Sequence, residues 1–213
     1  MPDPEPTITG ARPRFVPLDP AALDDRQKAA ASGLLAGATR AGGPGGQHMA
    51  DTGSFPGPYD FLLRSPELAL RWRQYAEYVR FDTSLPLRLN EFAILVQARY
   101  WTAQFEWWAH YPLALRAGLP QAVADDLKVG KRPASMQPDE EAVYDFCVEL
   151  MQTRAVSDAT FAKLRAVFSE QQVVDLVAVS GFYATVSMVL NTTEAEIPNG
   201  GEPPLAPLAR PLG

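Results

Sequence analysis

The stretch Arg88-Leu-Asn-Glu91-Phe-Ala-Ile-Leu-Val-Gln-Ala-Arg99-Tyr-Trp-Thr102-Ala-Gln-Phe-Glu106-Trp-Trp-Ala-His110 decides how this chain is read. Leu87 to Tyr100 reads as one helix. Thr102 offers an N-cap for a second, which Gly118 closes and Pro120 follows. On that second helix Glu106 and His110 stand four residues apart, so they project from one face, and the carboxylate can hold, orient or charge the imidazole. His110 is one of only two histidines, and it sits among Trp101, Phe105, Trp107 and Trp108. Apolar surroundings favour the neutral forms of the pair and mutual attraction favours the charged ones. Such a site can handle protons near neutral pH.

Working outward, the signals stay helical. Pro20 to about Ala36 reads as a first helix. Ser65-Pro66 gives an N-cap and a first-turn proline, after which Leu68, Trp72, Tyr75 and Val79 recur at helical spacing. Further helices are expected from Pro120 to Val129, from Pro138 to about Gln152 with Asp139, Glu140 and Glu141 in the first turn, and from Ser157 onward. Ser169-Glu-Gln-Gln172 has the form of a capping box before the long apolar run Val173 to Leu190, read as a buried helix rather than a membrane span. No run alternates with period two between hairpin turns, so the fold class is all-α. Two stretches depart from this pattern. Gly42 to Pro58 is too rich in Gly and Pro for a helix and reads as a loop, with His48 inside it and able to fold over a site. The tail from Ile197 to Gly213 is an extended Pro-rich arm, either packed along another subunit or disordered. Asn191 reads as a helix C-cap.

The 213 residues, 46% hydrophobic, suffice for one sizeable core, and one domain is expected over 1–213. It comprises an N-terminal helix and Gly/Pro-rich loop (1–54), a helical core (55–195) and the Pro-rich tail (196–213). A net charge of −6 leaves no basic footprint, so neither nucleic acid nor an anionic membrane is an expected partner. The first fourteen residues lack the apolar stretch of a signal peptide, which points to the cytoplasm. Cys147, the sole cysteine, reads as a small core residue.

Glu91 stands twelve residues before Ala103, and the frame Glu91-x11-Ala103-x-x-Glu106-x3-His110 resembles the Glu-x11-Cys-x-x-Cys-x3-His frame of the alkyl hydroperoxidase D-like proteins of the carboxymuconolactone decarboxylase superfamily. Ala103 and Glu106 occupy the two cysteine positions. From Gly57 through Leu119 the chain is similar to longer, cysteine-free members, and the resemblance extends over about residues 55 to 195. It implies an alkyl hydroperoxidase D-like helical bundle with extended N- and C-terminal arms, assembly into trimers or hexamers, and Glu91 opposite Glu106 and His110. The residues alone leave open an Arg88–Glu91 helix pair.

Three functions follow as alternatives. The first is a cofactor-independent lyase or isomerase resembling carboxymuconolactone decarboxylase, acting on a small carboxylated, unsaturated or lactone-type molecule. His110 would carry the proton, Glu106 would orient it and Glu91 would be a second acid or base, with Arg99, Tyr100, Trp107 and His48 as candidate substrate contacts. No cofactor and no metal are expected. The second is thiol peroxidase chemistry, which needs a thiolate and a resolving thiol that Ala103 and Glu106 cannot supply. In the third, Glu91, Glu106 and His110 are metal ligands or a buried polar network.

Overall fold

The structure, a computed structural model, describes residues 14–208 and 212, and among these every regular element is helical. The helices are α1 (Asp25–Ala41), α2 (Pro44–Thr52), α3 (Pro58–Leu62), α4 (Pro66–Glu77), α5 (Leu87–Tyr100), α6 (Gln104–Arg116), α7 (Gln121–Lys128), α8 (Pro138–Thr153), α9 (Asp158–Val167) and α10 (Glu170–Thr193). The reading of the first fourteen residues falls, Arg14 apart, outside the described residues, as does part of the tail.

Helix α5 is the axis of the larger core. Residues Leu89 through Arg99 are all buried, as befits a helix apolar on every side, and α6, α7, α8 and α10 pack around it. Phe92, Leu95, Val143 and Leu176 belong to this cluster. A smaller cluster, including Leu23, Ala30, Leu34, Leu62, Leu63 and Ala69, forms where α1, α3 and α4 meet. Helix α10 is the described helix long and apolar enough to cross a membrane, and half of that apolar window is buried inside the protein.

Local chemistry sets the helix ends. The Ser169–Gln172 capping box opens α10, with the Gln172 amide donating to Ser169 Oγ and the Ser169 amide to Gln172 Oε1. Asp24 and Gln27 do the same for α1, which starts later and runs further than Pro20–Ala36: Pro20–Ala22 is a separate 3-10 turn, and left-handed Gly42 ends the helix.

Three expectations are corrected here. The Gly42–Pro58 stretch is not a loop but holds α2 and the start of α3. Gly46 serves close packing, since a Cβ there would stand 2.2 Å from the Ala38 carbonyl oxygen of α1. Thr102 is not an N-cap. It takes a left-handed conformation (φ 51°) within a Schellman turn, the Ala103 amide donating to Ala98 O at 2.8 Å and the Thr102 amide to Arg99 O at 3.1 Å. That turn folds α6 back onto α5, and Ala103 caps α6 without a side-chain bond. Asn191 lies inside α10 rather than capping it; its amide donates to the Trp101 carbonyl.

The described tail packs on the chain's own core. Leu205 and Leu212 are buried, and the Gln104 side chain holds Leu205 in both directions, donating to its carbonyl at 2.8 Å and accepting from its amide at 2.9 Å.

Candidate functional site

The two clusters meet along a seam, and the seam holds a cavity enclosing about 870 Å³ of empty space, the solvent at its mouth included. Helices α1 and α2 supply one wall through Leu34, Ala38 and Gly46. Helix α6 supplies Phe105, Glu106 and His110, and α10 supplies Phe182, Tyr183 and Val186. Glu91 reaches His110 from beneath: Glu91 Oε2 and His110 Nδ1 are 2.7 Å apart, and both side chains are buried. The pairing of α5 with α6 across the Schellman turn is what brings them together.

Burial lowers the pKa of His110, Glu91 opposes that by charge and hydrogen bond, and the positive charge of Arg80 lowers it further. The balance favours a neutral ring. With Nδ1–H donated to Glu91, the lone pair falls on Nε2, which has no hydrogen-bond partner among the described residues and belongs to a ring in the cavity wall. The edge of that ring meets Tyr183, at 5.0 Å between centroids and 81° between planes.

Glu106 does not orient His110. Its Oε2 accepts from Ser187 Oγ of α10 at 3.1 Å, and its Oε1 is buried without a partner. Burial raises its pKa well above the usual carboxylate range and the Ser187 bond offsets only part of that. Side chains four apart can touch but need not, and a serine on α10 and a glutamate on α5 have taken the two partners apart.

The other candidates lie elsewhere. Arg99 is buried, donating to the Ala206 carbonyl at 2.9 Å, and so secures the tail rather than a substrate. Tyr100 donates to the Met151 carbonyl at 3.3 Å. Trp107 is core, 1% exposed and packed near Tyr111. His48 sits on α2 with Ser54 Oγ 3.0 Å from its Nε2, outside the cavity lining. Arg88 pairs with Asp139 at 2.6 Å and with Glu140, not with Glu91.

Arg80 lines the cavity and was not singled out by the sequence. It belongs to a π-helical turn, Tyr78–Asp82, that continues α4; such wide turns recur at functional sites. Two contacts pin the turn: the Asn90 amide donates to the Val79 carbonyl at 3.0 Å, and Asp175 of α10 accepts from Tyr78 Oη at 2.7 Å, Ser84 N at 2.7 Å and Ser84 Oγ at 2.6 Å. Among the described residues Arg80 makes no hydrogen bond or ion pair; its guanidinium lies 5.6 Å from the centre of the Phe81 ring. Nothing in Tyr78-Val-Arg-Phe-Asp82 separates it from a solvated arginine.

Cys147 lies on α8, buried beside Ser180, and burial pushes its thiol up to about 12. No three His, Cys, Asp or Glu side chains among the described residues are grouped so as to hold a metal ion.

No family model and no curated protein matches the chain. Solved structures do. One is the alkylhydroperoxidase AhpD core of an uncharacterized peroxidase-related protein from Ralstonia eutropha JMP134, with TM-score 0.69 and 18% identity over 88% of this chain and 93% of that one. Another is an uncharacterized peroxidase-related protein from Silicibacter sp. TM1040, with TM-score 0.61 and 17% identity over 72% of this chain and 83% of that one. With these architectures aligned over most of its length, the chain has the AhpD-like helical fold.

Proposed function

We propose that the protein is a cofactor-independent lyase or isomerase that moves a proton on a small carboxylated, unsaturated or lactone-type substrate. The observation that carries this reading is the His110–Glu91 pair, with an unpartnered imidazole nitrogen at the wall of a largely apolar cavity. A neutral imidazole held by a carboxylate takes a proton at Nε2, and Glu91 stabilises the imidazolium that results. In isomerisation the same nitrogen returns to another carbon the proton it took; in decarboxylation the carbon–carboxylate electron pair flows into a conjugated carbonyl as carbon dioxide leaves, and His110, protonated from water, gives its Nε2 proton to carbon. Apolar walls favour loss of carbon dioxide by stripping water from the departing carboxylate.

A thiol peroxidase reading is disfavoured by the residues themselves. Cys147 is buried away from the cavity, and its high pKa leaves little thiolate to attack peroxide.

The test is a panel of small unsaturated acids and carboxylated lactones incubated with the protein in deuterated water and followed by NMR. Deuterium entry at carbon or substrate loss is expected with the parent, slowed about a hundredfold in His110→Ala and Glu91→Gln. Dithiol-dependent peroxide turnover that disappears in Cys147→Ser would instead favour the peroxidase.

The reading includes self-association. Val174, Val177 and Met188 are exposed along one side of α10, beside exposed Tyr75, whose hydroxyl donates to the Ala178 carbonyl. A second copy of this chain would cover that apolar face.

A further inference from the structure

Among the groups of the cavity wall, the charges are unequally matched. Arg73 has Glu77 as an ion-pair partner at 3.7 Å, although its buried Nε has no hydrogen-bond partner among the described residues. Among the described residues Arg80 has no hydrogen-bonded or ion-paired acid, and the Glu91 charge acts on it only through space. Glu106 offers a buried oxygen, Oε1, with no hydrogen-bond partner among the described residues. The remaining walls are apolar: Leu34, Trp72, Phe105, Phe182, Val186 and Leu190. An unpaired guanidinium and an unpaired carboxyl oxygen are each costly beside so much hydrocarbon, and both are satisfied by one ligand of the right charge pattern.

We propose that the cavity selects a small molecule with an apolar body and a single carboxylate, which Arg80 grips while Glu106 meets a second oxygen of the same molecule. This rests on the proposed function only in sharing its site. Arg80 and His110 line the same cavity, so a carboxylate held by Arg80 shares that space with the proton carrier. A planar guanidinium accepts a carboxylate through two parallel N–H bonds. A second carboxylate at the far end of the molecule would be stripped of water against the apolar walls. Burial favours the neutral form of Glu106, the form that donates from Oε1 to a carbonyl oxygen without repelling the anion.

The test is isothermal titration calorimetry of the parent protein with benzoate, phenylacetate and trans-cinnamate, against trans-cinnamamide and 4-carboxycinnamate. Binding is read without turnover, so the result stands apart from the proton-transfer assay. At least one of the three monocarboxylates should bind. The amide, and the acid carrying a second carboxylate at its far end, should bind at least about tenfold more weakly than trans-cinnamate, the loss expected for a charged hydrogen-bonded pair. Arg80→Met should weaken monocarboxylate binding by a similar factor and Arg80→Lys should restore part of it. Equal affinity of acid and amide, tighter binding of the dicarboxylate, undiminished binding by folded Arg80→Met, or no binding of any monocarboxylate at millimolar concentration overturns the proposal. The comparisons among ligands need no variant, so they decide even if Arg80→Met fails to fold.

Discussion

Glu91 and His110, nineteen residues apart in the chain, meet at 2.7 Å across the α5–α6 interface, and the residue four positions from His110 on its own helix bonds to α10 instead. Tertiary pairing has overridden helical proximity. The imidazole therefore takes its character from a neighbouring helix.

His110 is expected to titrate below 6.5, because burial outweighs the attraction of Glu91. Removing that attraction lowers the midpoint further, so Glu91→Gln should shift it to lower pH. With two histidines in the chain, the ring resonances can be followed individually by NMR. As a base, His110 works above its folded pKa, and the acid limb of kcat/KM should track the same midpoint. A midpoint above 6.5, or an upward shift in Glu91→Gln, contradicts the arrangement.

Glu106 predicts the opposite linkage. Above pH 4.5 the unfolded chain loses the Glu106 proton while the folded chain keeps it, so this group's contribution to stability is full below 4.5 and is lost as pH rises through the raised folded pKa. Glu106→Gln lacks that loss. Its Tm relative to the parent should therefore become more favourable as the pH is raised from about 4.5 to 8. Parallel melting curves across that range would show that the carboxyl is ionised in the fold.

Gly46→Ala should destabilise the protein by about 1–3 kcal/mol, the usual range for overpacking, because the added methyl carbon would lie 2.2 Å from the Ala38 carbonyl. Urea denaturation measures it. An unchanged midpoint would mean that α1 and α2 separate freely at that point.

Light scattering of the parent is expected to give a trimer or hexamer at micromolar concentration. Val177→Glu, on the exposed side of α10, should reduce the assembled mass without lowering helix content. A parent monomer refutes self-association.

Much of the architecture was legible because it rests on local signals: the capping box at Ser169, the proline after Ser65 and the apolar runs of α5 and α10 are each readable within a few residues. The Glu91–His110 spacing was legible only through its resemblance to a known frame. What escaped depends on partners far away in sequence. Gly43-Pro-Gly-Gly46 looks like a loop until the α1 backbone against which Gly46 packs is in view. Arg99 looks like a substrate clamp until the tail carbonyl of Ala206 arrives 107 residues later. Arg80 looks ordinary because its significance is its place in the cavity wall without a hydrogen-bonding partner among the described residues, and the local sequence carries no measure of that.

The clamp that Asp175 places on Tyr78 and Ser84 gives α10 the role of a ruler. The same rod carries Tyr183, which abuts the His110 ring, and Ser187, which holds Glu106. From Asp175 to Ser187 the rise is about 18 Å at 1.5 Å per residue, fixed by backbone hydrogen bonds rather than by loops. One residue inserted between Asp175 and Tyr183 would turn the far end by about 100° and withdraw both contacts while leaving the clamp in place. The spacing of the Tyr78–Asp82 turn, the His110 ring and the Glu106 carboxyl is thereby tied to the pitch of a single helix.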